Sequence, residues 1–152
     1  MSNIFTTKIS NWAQKNMLWC ARIALFVVYF LFGILKVVGL SPAGPLVHAL
    51  FDKTIYFLMP FDTFYILFAL YEVLIGILFL FPKLTKLALA LMILHLVTTI
   101  LPLICLPHLV WQAPFIPTLE GQYIIKNVLI LALGIVLLAH TSAHASDRKI
   151  EA

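Results

Sequence analysis

Polar positions are so sparse along most of this chain that the gaps between them mark out its elements. Residues 64–81, FYILFALYEVLIGILFLF, contain one ionisable side chain, Glu72, near their centre. A run of about 18 apolar residues, at 1.5 Å of helical rise each, is long enough to cross a bilayer core of roughly 30 Å. Three further runs have the same character, at about 18–40, 87–106 and 123–139. The first carries Arg22 near its start and Lys36 near its end. The third carries His95 and Pro102, and the fourth Lys126 in its first turn.

The segments between the runs read differently. GLSPAGP, at 39–45, stops the first helix through its glycines and prolines. Residues 46–59, LVHALFDKTIYFLM, place His48, Asp52, Tyr56 and Met59 on one helical face and apolar side chains elsewhere. That is the pattern of an amphipathic helix lying in the interface, too short and too charged to span. Residues 107–122 hold three prolines and Trp111, which predicts an interfacial loop tucked onto the bundle rather than a regular helix. Residues 1–17 are mildly amphipathic and read as a short surface helix, or as a disordered tail; residues 141–152 read as a polar tail. The predicted fold class is all-α: an integral membrane four-helix bundle, residues 18–140, with an interfacial amphipathic helix between the first and second spans.

Composition agrees. Of 152 residues, 63% are hydrophobic and 11% charged, against about 25% charged in an average soluble domain. Mean hydropathy is +1.08. The net charge of +4 comes from basic residues that form no stripe with interleaved aromatics, so nucleic acid is not an expected partner. Their distribution bears on orientation instead. Lys8, Lys15, Lys83, Lys86, Arg148 and Lys149 fall on one side of a four-span topology and Lys53 on the other. The positive-inside rule then puts both termini in the cytoplasm. The first apolar run lacks a small-residue cleavage site and is expected to stay as a signal anchor.

Chemistry is confined to a few groups. Cys20 and Cys105 form no CxxC pair and fall at opposite faces, too far apart for a disulfide. His140 and His144 have i, i+4 ligand spacing but no third strong ligand nearby, so no metal is predicted. His95 is the only histidine well inside a span, which leaves haem without a second axial histidine. No phosphate-binding loop, nucleophile elbow or dinucleotide fingerprint is present.

Glu72 therefore stands out, since a carboxylate at the bilayer midplane costs on the order of 3 kcal/mol or more unless compensated. His95 lies at a matching depth on the next span, and antiparallel neighbours joined by a short loop are normally adjacent. A Glu72–His95 pair solves both desolvation problems. Lys36, Lys126, Glu120 and Asp62, with His48 and His108 nearby, belong to the outer half of the bundle, whereas Arg22 belongs to the inner half. This lopsided distribution predicts a cavity or binding site open to the outer side. Lys36 and Lys126 fit snorkelling equally well, and His95 fits a neutral core histidine with one hydrogen bond.

Arg22 opening the first span, FGILK at 32–36, SPAGPLV at 41–47, YEVLIGILFL at 71–80 and PTLEGQYIIKN at 117–127 together resemble the DoxX-like family of small bacterial membrane proteins. The chain is also similar to the related reactive-chlorine-resistance membrane proteins of the YkgB type. The resemblance implies a four-helix membrane bundle acting as the membrane subunit of a quinone-linked oxidoreductase, with quinone as cofactor and a soluble or membrane redox protein as partner. The residues it carries over are Arg22, Lys36, Glu72, Glu120 and Lys126. The expectation is that Glu72 and His95 exchange protons as the catalytic pair, while Arg22, Lys36, Glu120 and Lys126 bind ligand. The alternatives are a non-enzymatic assembly partner and a small organic-acid or proton transporter, though no inverted repeat is evident.

The orientation is tested with single cysteines engineered at Ser41 and Ser146 and a membrane-impermeant maleimide on intact cells. Labelling at 41 and protection at 146 is the expected outcome; the reverse pattern overturns it.

Overall fold

The computed structural model describes the backbone of residues 2–150 and the side chains of residues 6–141. The elements in chain order are α1 (Ser2–Val37), α2 (Gly44–Thr54), α3 (Phe61–Phe79), a 3-10 turn (Pro82–Leu84), α4 (Thr85–Ile100), α5 (Pro102–Cys105), α6 (Pro107–Val110), β1 (Trp111–Ala113), β2 (Ile116–Pro117), α7 (Leu119–Ile125) and α8 (Asn127–Ile150). Among the described residues, four helical stretches are long and apolar enough to cross a membrane: Thr6–Val37, Phe61–Phe79, Pro82–Cys105 and Leu119–Thr141.

Three boundaries differ from the sequence reading. Residues 2–17 are not a separate surface helix but the first turns of α1, because nothing between Ser2 and Tyr29 breaks a helix: there is no proline or glycine. The amphipathic helix ends at Thr54 rather than Met59, and residues 55–58 are turn. Residues 107–122 are more ordered than an irregular loop, though the architecture stays that of an all-α bundle. They hold the one-turn helix α6, the antiparallel hairpin β1–β2 and the start of the last long helix. The prolines serve as helix starters here, Pro102 and Pro107 each opening a turn where a missing N–H costs nothing. Thr118 caps α7 by accepting from the Gly121 amide at 3.2 Å and donates to the Leu109 carbonyl at 2.9 Å. Of the expected tail, the His144, Arg148 and Lys149 side chains lie outside the described residues.

The core is a set of helical stripes. On α1 the buried positions include Arg22, Leu25, Tyr29, Gly33 and Lys36, at spacings of three and four, with Ala21 beside Arg22. On α3 they include Ala69, Glu72, Gly76 and Phe79, and on α4 Thr85, Ala88, Met92 and His95. Large apolar side chains such as Leu31, Phe32, Leu67, Leu70, Leu94 and Val97 point outward. The polar groups are thus inside and the greasy ones outside, the arrangement of a bundle whose surroundings are apolar.

Two glycines bring α1 and α3 together. A Cβ on Gly33 would lie 2.8 Å from the Ala69 carbonyl oxygen and the Val73 nitrogen, and one on Gly76 2.8 Å from the Phe30 nitrogen. Each helix thus offers a bare backbone patch to the other, which permits the close approach typical of small-residue interfaces.

Candidate functional site: a buried lysine, glutamate and histidine

The close crossing of α1 and α3 sets Lys36 against Glu72. Lys36 Nζ donates to Glu72 Oε2 at 2.6 Å, and His95 Nε2 lies 3.0 Å from Glu72 Oε1. Glu72 and His95 do face one another, as their depths suggested. Lys36 neither snorkels outward nor stands free for a ligand: it turns inward and closes the other side of the carboxylate. All three residues are buried, between 4% and 6% exposed.

An ion pair this deep has to offset several kcal/mol of lost hydration per ion, which requires that the remaining lone pairs and protons be used. Both carboxylate oxygens are engaged. The Lys36 ammonium is also within 3.5 Å of the Phe32 carbonyl, a long contact, and 5.7 Å from the Phe68 ring centroid, within cation–π range. Phe68 stacks on the His95 imidazole at 5.2 Å and 14°. Tyr29 meets the same imidazole edge-on at 5.2 Å and 75°. Tyr71 donates to the Leu91 carbonyl at 2.7 Å and so ties α3 to α4 beside the cluster. Thr98 donates to the His95 carbonyl at 2.7 Å.

Aromatic packing links the cluster to α2. Phe51 of α2 is buried against Phe61 and Phe64, Phe64 stacks on Phe68, and Phe68 rests on His95. The α2 segment does pack on the end of the bundle, as its pattern suggested. The three polar residues of the site are nonetheless buried, with Phe68 lying over the lysine and the imidazole.

The remaining expected ligand-binding residues lie elsewhere. Arg22 is fourteen residues from Lys36 on α1, about 21 Å along the helix. It is buried and both its terminal nitrogens are engaged: Nη1 donates to the Phe79 carbonyl at 3.2 Å and Nη2 to Thr85 Oγ1 at 2.7 Å, while the Thr85 hydroxyl donates to the Pro82 carbonyl at 2.7 Å. A cation at the C-terminal end of α3 also suits the helix dipole. Arg22 therefore clamps the turn between α3 and α4 and shares no site with Glu72. Lys126 is exposed, 4.4 Å over the Tyr123 ring, beside a small cavity of about 160 Å3 lined with Leu119, Gln122 and Tyr123. Glu120 is exposed, and His48 and Asp52 form a loose exposed pair at 3.8 Å. Both cysteines are free, and among the described residues no three His, Cys, Asp or Glu side chains cluster to hold a metal.

Sequence reasoning missed Phe68, four residues before Glu72 on α3, and it missed Tyr29. Its signal was its place on the Arg22–Leu25–Tyr29–Gly33–Lys36 stripe, seven residues before Lys36.

Compared with known proteins, the chain matches no family model, no curated protein and no solved structure.

The pairing predicts a coupled energetic response. Removing one partner leaves a buried charge alone, so Lys36→Met and Glu72→Gln should each cost about 3–5 kcal/mol. The double variant Lys36→Met/Glu72→Gln, in which the amide can still bond His95, should cost less than either. Equilibrium unfolding in mixed micelles checks this. Additive losses would show that the two side chains do not depend on each other.

Proposed function

We propose that this chain is a multi-pass protein of the bacterial inner membrane, both termini cytoplasmic, that serves as the membrane subunit of a quinone-linked oxidoreductase or redox-stress system. The observation that carries the reading is the Lys36–Glu72–His95 cluster in the interior of a bundle whose outer surface is apolar. Intramembrane ionisable residues that pair with one another typically mark proton or substrate pathways. Here the carboxylate bridges a cation and an imidazole, so a proton taken up on His95 has an acceptor at 3.0 Å and a fixed counter-charge behind it.

The quinone is supported by the resemblance to the DoxX-like proteins. The site also offers suitable chemistry: aromatic walls at the buried Tyr29 and the half-buried Phe68, with one phenol and one imidazole nitrogen not used by other described residues. A quinone, when bound, supplies a redox couple whose chemistry requires proton exchange. In this reading His95 and Glu72 hold and pass the proton, Lys36 keeps the carboxylate charge balanced, and Phe68 packs over the imidazole and the ammonium. Entry to the cluster requires the Phe68 ring to move. Lys126 and Glu120, at the exposed start of the last span, lie on the surface that a soluble or membrane redox partner would meet.

The assembly-partner reading keeps one observation in its favour. The cluster joins α1, α3 and α4 into one unit, which is also what a purely structural strut does.

Extraction in mild detergent, followed by mass spectrometry of the bound small molecules, separates the two. The quinone reading predicts quinone enriched over its proportion in the bulk membrane, and loss of that enrichment in the charge-balanced Lys36→Met/Glu72→Gln double variant. Absence of enrichment in the native protein, together with a stoichiometric protein partner, favours the strut.

A further inference from the structure

Two buried polar atoms beside the carboxylate have no hydrogen-bond partner among the described residues: Tyr29 Oη and His95 Nδ1. Both residues are more than nine-tenths buried, and their rings touch edge to face. The Tyr29 phenol also lies within electrostatic range of Glu72. Leaving a buried donor or acceptor unpaired is costly, and a native structure rarely does so without a ligand, a water or a role for the group.

The state of the cluster fixes what each atom offers. The Lys36 ammonium has only protons to give, so Glu72 Oε2 must accept. With the pair charge-balanced, Glu72 Oε1 is an acceptor as well, and the hydrogen at 3.0 Å belongs to His95 Nε2. Neutral His95 with its proton on Nε2 leaves Nδ1 as a lone-pair acceptor. Tyr29 offers an O–H donor. One donor and one acceptor on two rings in edge-to-face contact are complemented by a group that both accepts and donates through a single oxygen.

We propose that Tyr29 and His95 form a hydroxyl-binding subsite, in which one hydroxyl group accepts from the Tyr29 phenol and donates to His95 Nδ1. A water molecule and an aromatic alcohol present the same chemistry. The subsite deepens the function proposed above and rests on it only for the organic ligand. It also sets a preference: a hydroquinone hydroxyl satisfies both atoms, whereas a quinone carbonyl accepts from Tyr29 and leaves Nδ1 bare. The unmade bond is expected to cost about tenfold in affinity or more.

The test is nitrogen NMR of the full-length protein carrying heavy-nitrogen histidine, with the His95 signals assigned by their loss in His95→Gln. Hydroquinone is the probe, and its dimethyl ether, which accepts but cannot donate, is the control. The expected result is Nε2 protonated and Nδ1 accepting a hydrogen bond, with Nδ1 moving further on adding hydroquinone but not the ether. Tyr29→Phe, which removes a hydroxyl without a protein partner, should keep the fold and weaken the hydroquinone response about tenfold. If Nδ1 is hydrogen-bonded without any probe and hydroquinone changes nothing, water fills the subsite. That outcome upholds the subsite and counts against the quinone function. A bare Nδ1 under every condition, or a proton on Nδ1 with Nε2 unprotonated, overturns the subsite itself, whatever quinone co-purifies.

Discussion

A carboxylate placed in the middle of an apolar helix must be compensated, and most of this fold is arranged around that requirement. Glu72 sits on the only helix stretch of its length here whose centre carries an acid. Lys36 and His95 each take one of its oxygens. Neither partner can reach it unless α1 and α4 flank α3 with the correct helical phase. The same stripes that bury Leu25, Ile75 and Met92 therefore also deliver the charged groups. Core packing and charge compensation are here one constraint.

Two features hold that phase in place. Gly33 and Gly76 let the α1 and α3 backbones meet at a separation that side chains would not allow, which fixes the rotation of one helix against the other. At the far end of α1, Arg22 bonds to the Phe79 carbonyl and Thr85, so the turn joining α3 to α4 is tied to α1 as well. Lys36 and Arg22 act as fixed points about four turns apart on one helix. The rings of Phe51, Phe64 and Phe68 then link the cluster to α2. A site so buried keeps electrostatic interactions strong, because little water screens them.

Much of this was legible in the sequence, for identifiable reasons. Four long apolar runs are an unambiguous signal, and Glu72 is conspicuous as an isolated charge. The match in depth between Glu72 and His95 followed from helical rise and a short connecting loop. Lys36 was harder, because a lysine near a helix end can turn outward or inward, and depth alone does not decide. Helical phase does: Lys36 continues the stripe through Tyr29 and Gly33, so it had to face the core. That same stripe would have exposed Tyr29. Arg22 was grouped with the site through a resemblance and Lys126 through its depth as well, yet the first lies at the other end of the bundle and the second is exposed. The 107–122 segment was misjudged because its prolines were taken as breakers alone. A proline in a first turn begins a helix as readily as it ends one, and a hairpin with Phe115 in the left-handed region leaves no strong signal in so short a stretch.

The account depends most directly on the charge state of Glu72. Infrared difference spectroscopy of the protein with isotope-labelled glutamate, native minus Glu72→Gln, reads that state without reference to any ligand. The structure predicts carboxylate stretching bands at neutral pH and no protonated carboxyl band, because Lys36 and the His95 N–H both require an acceptor. A protonated carboxyl band assigned to Glu72 would contradict the ion pair, and with it the arrangement of donors and acceptors on which the site is built.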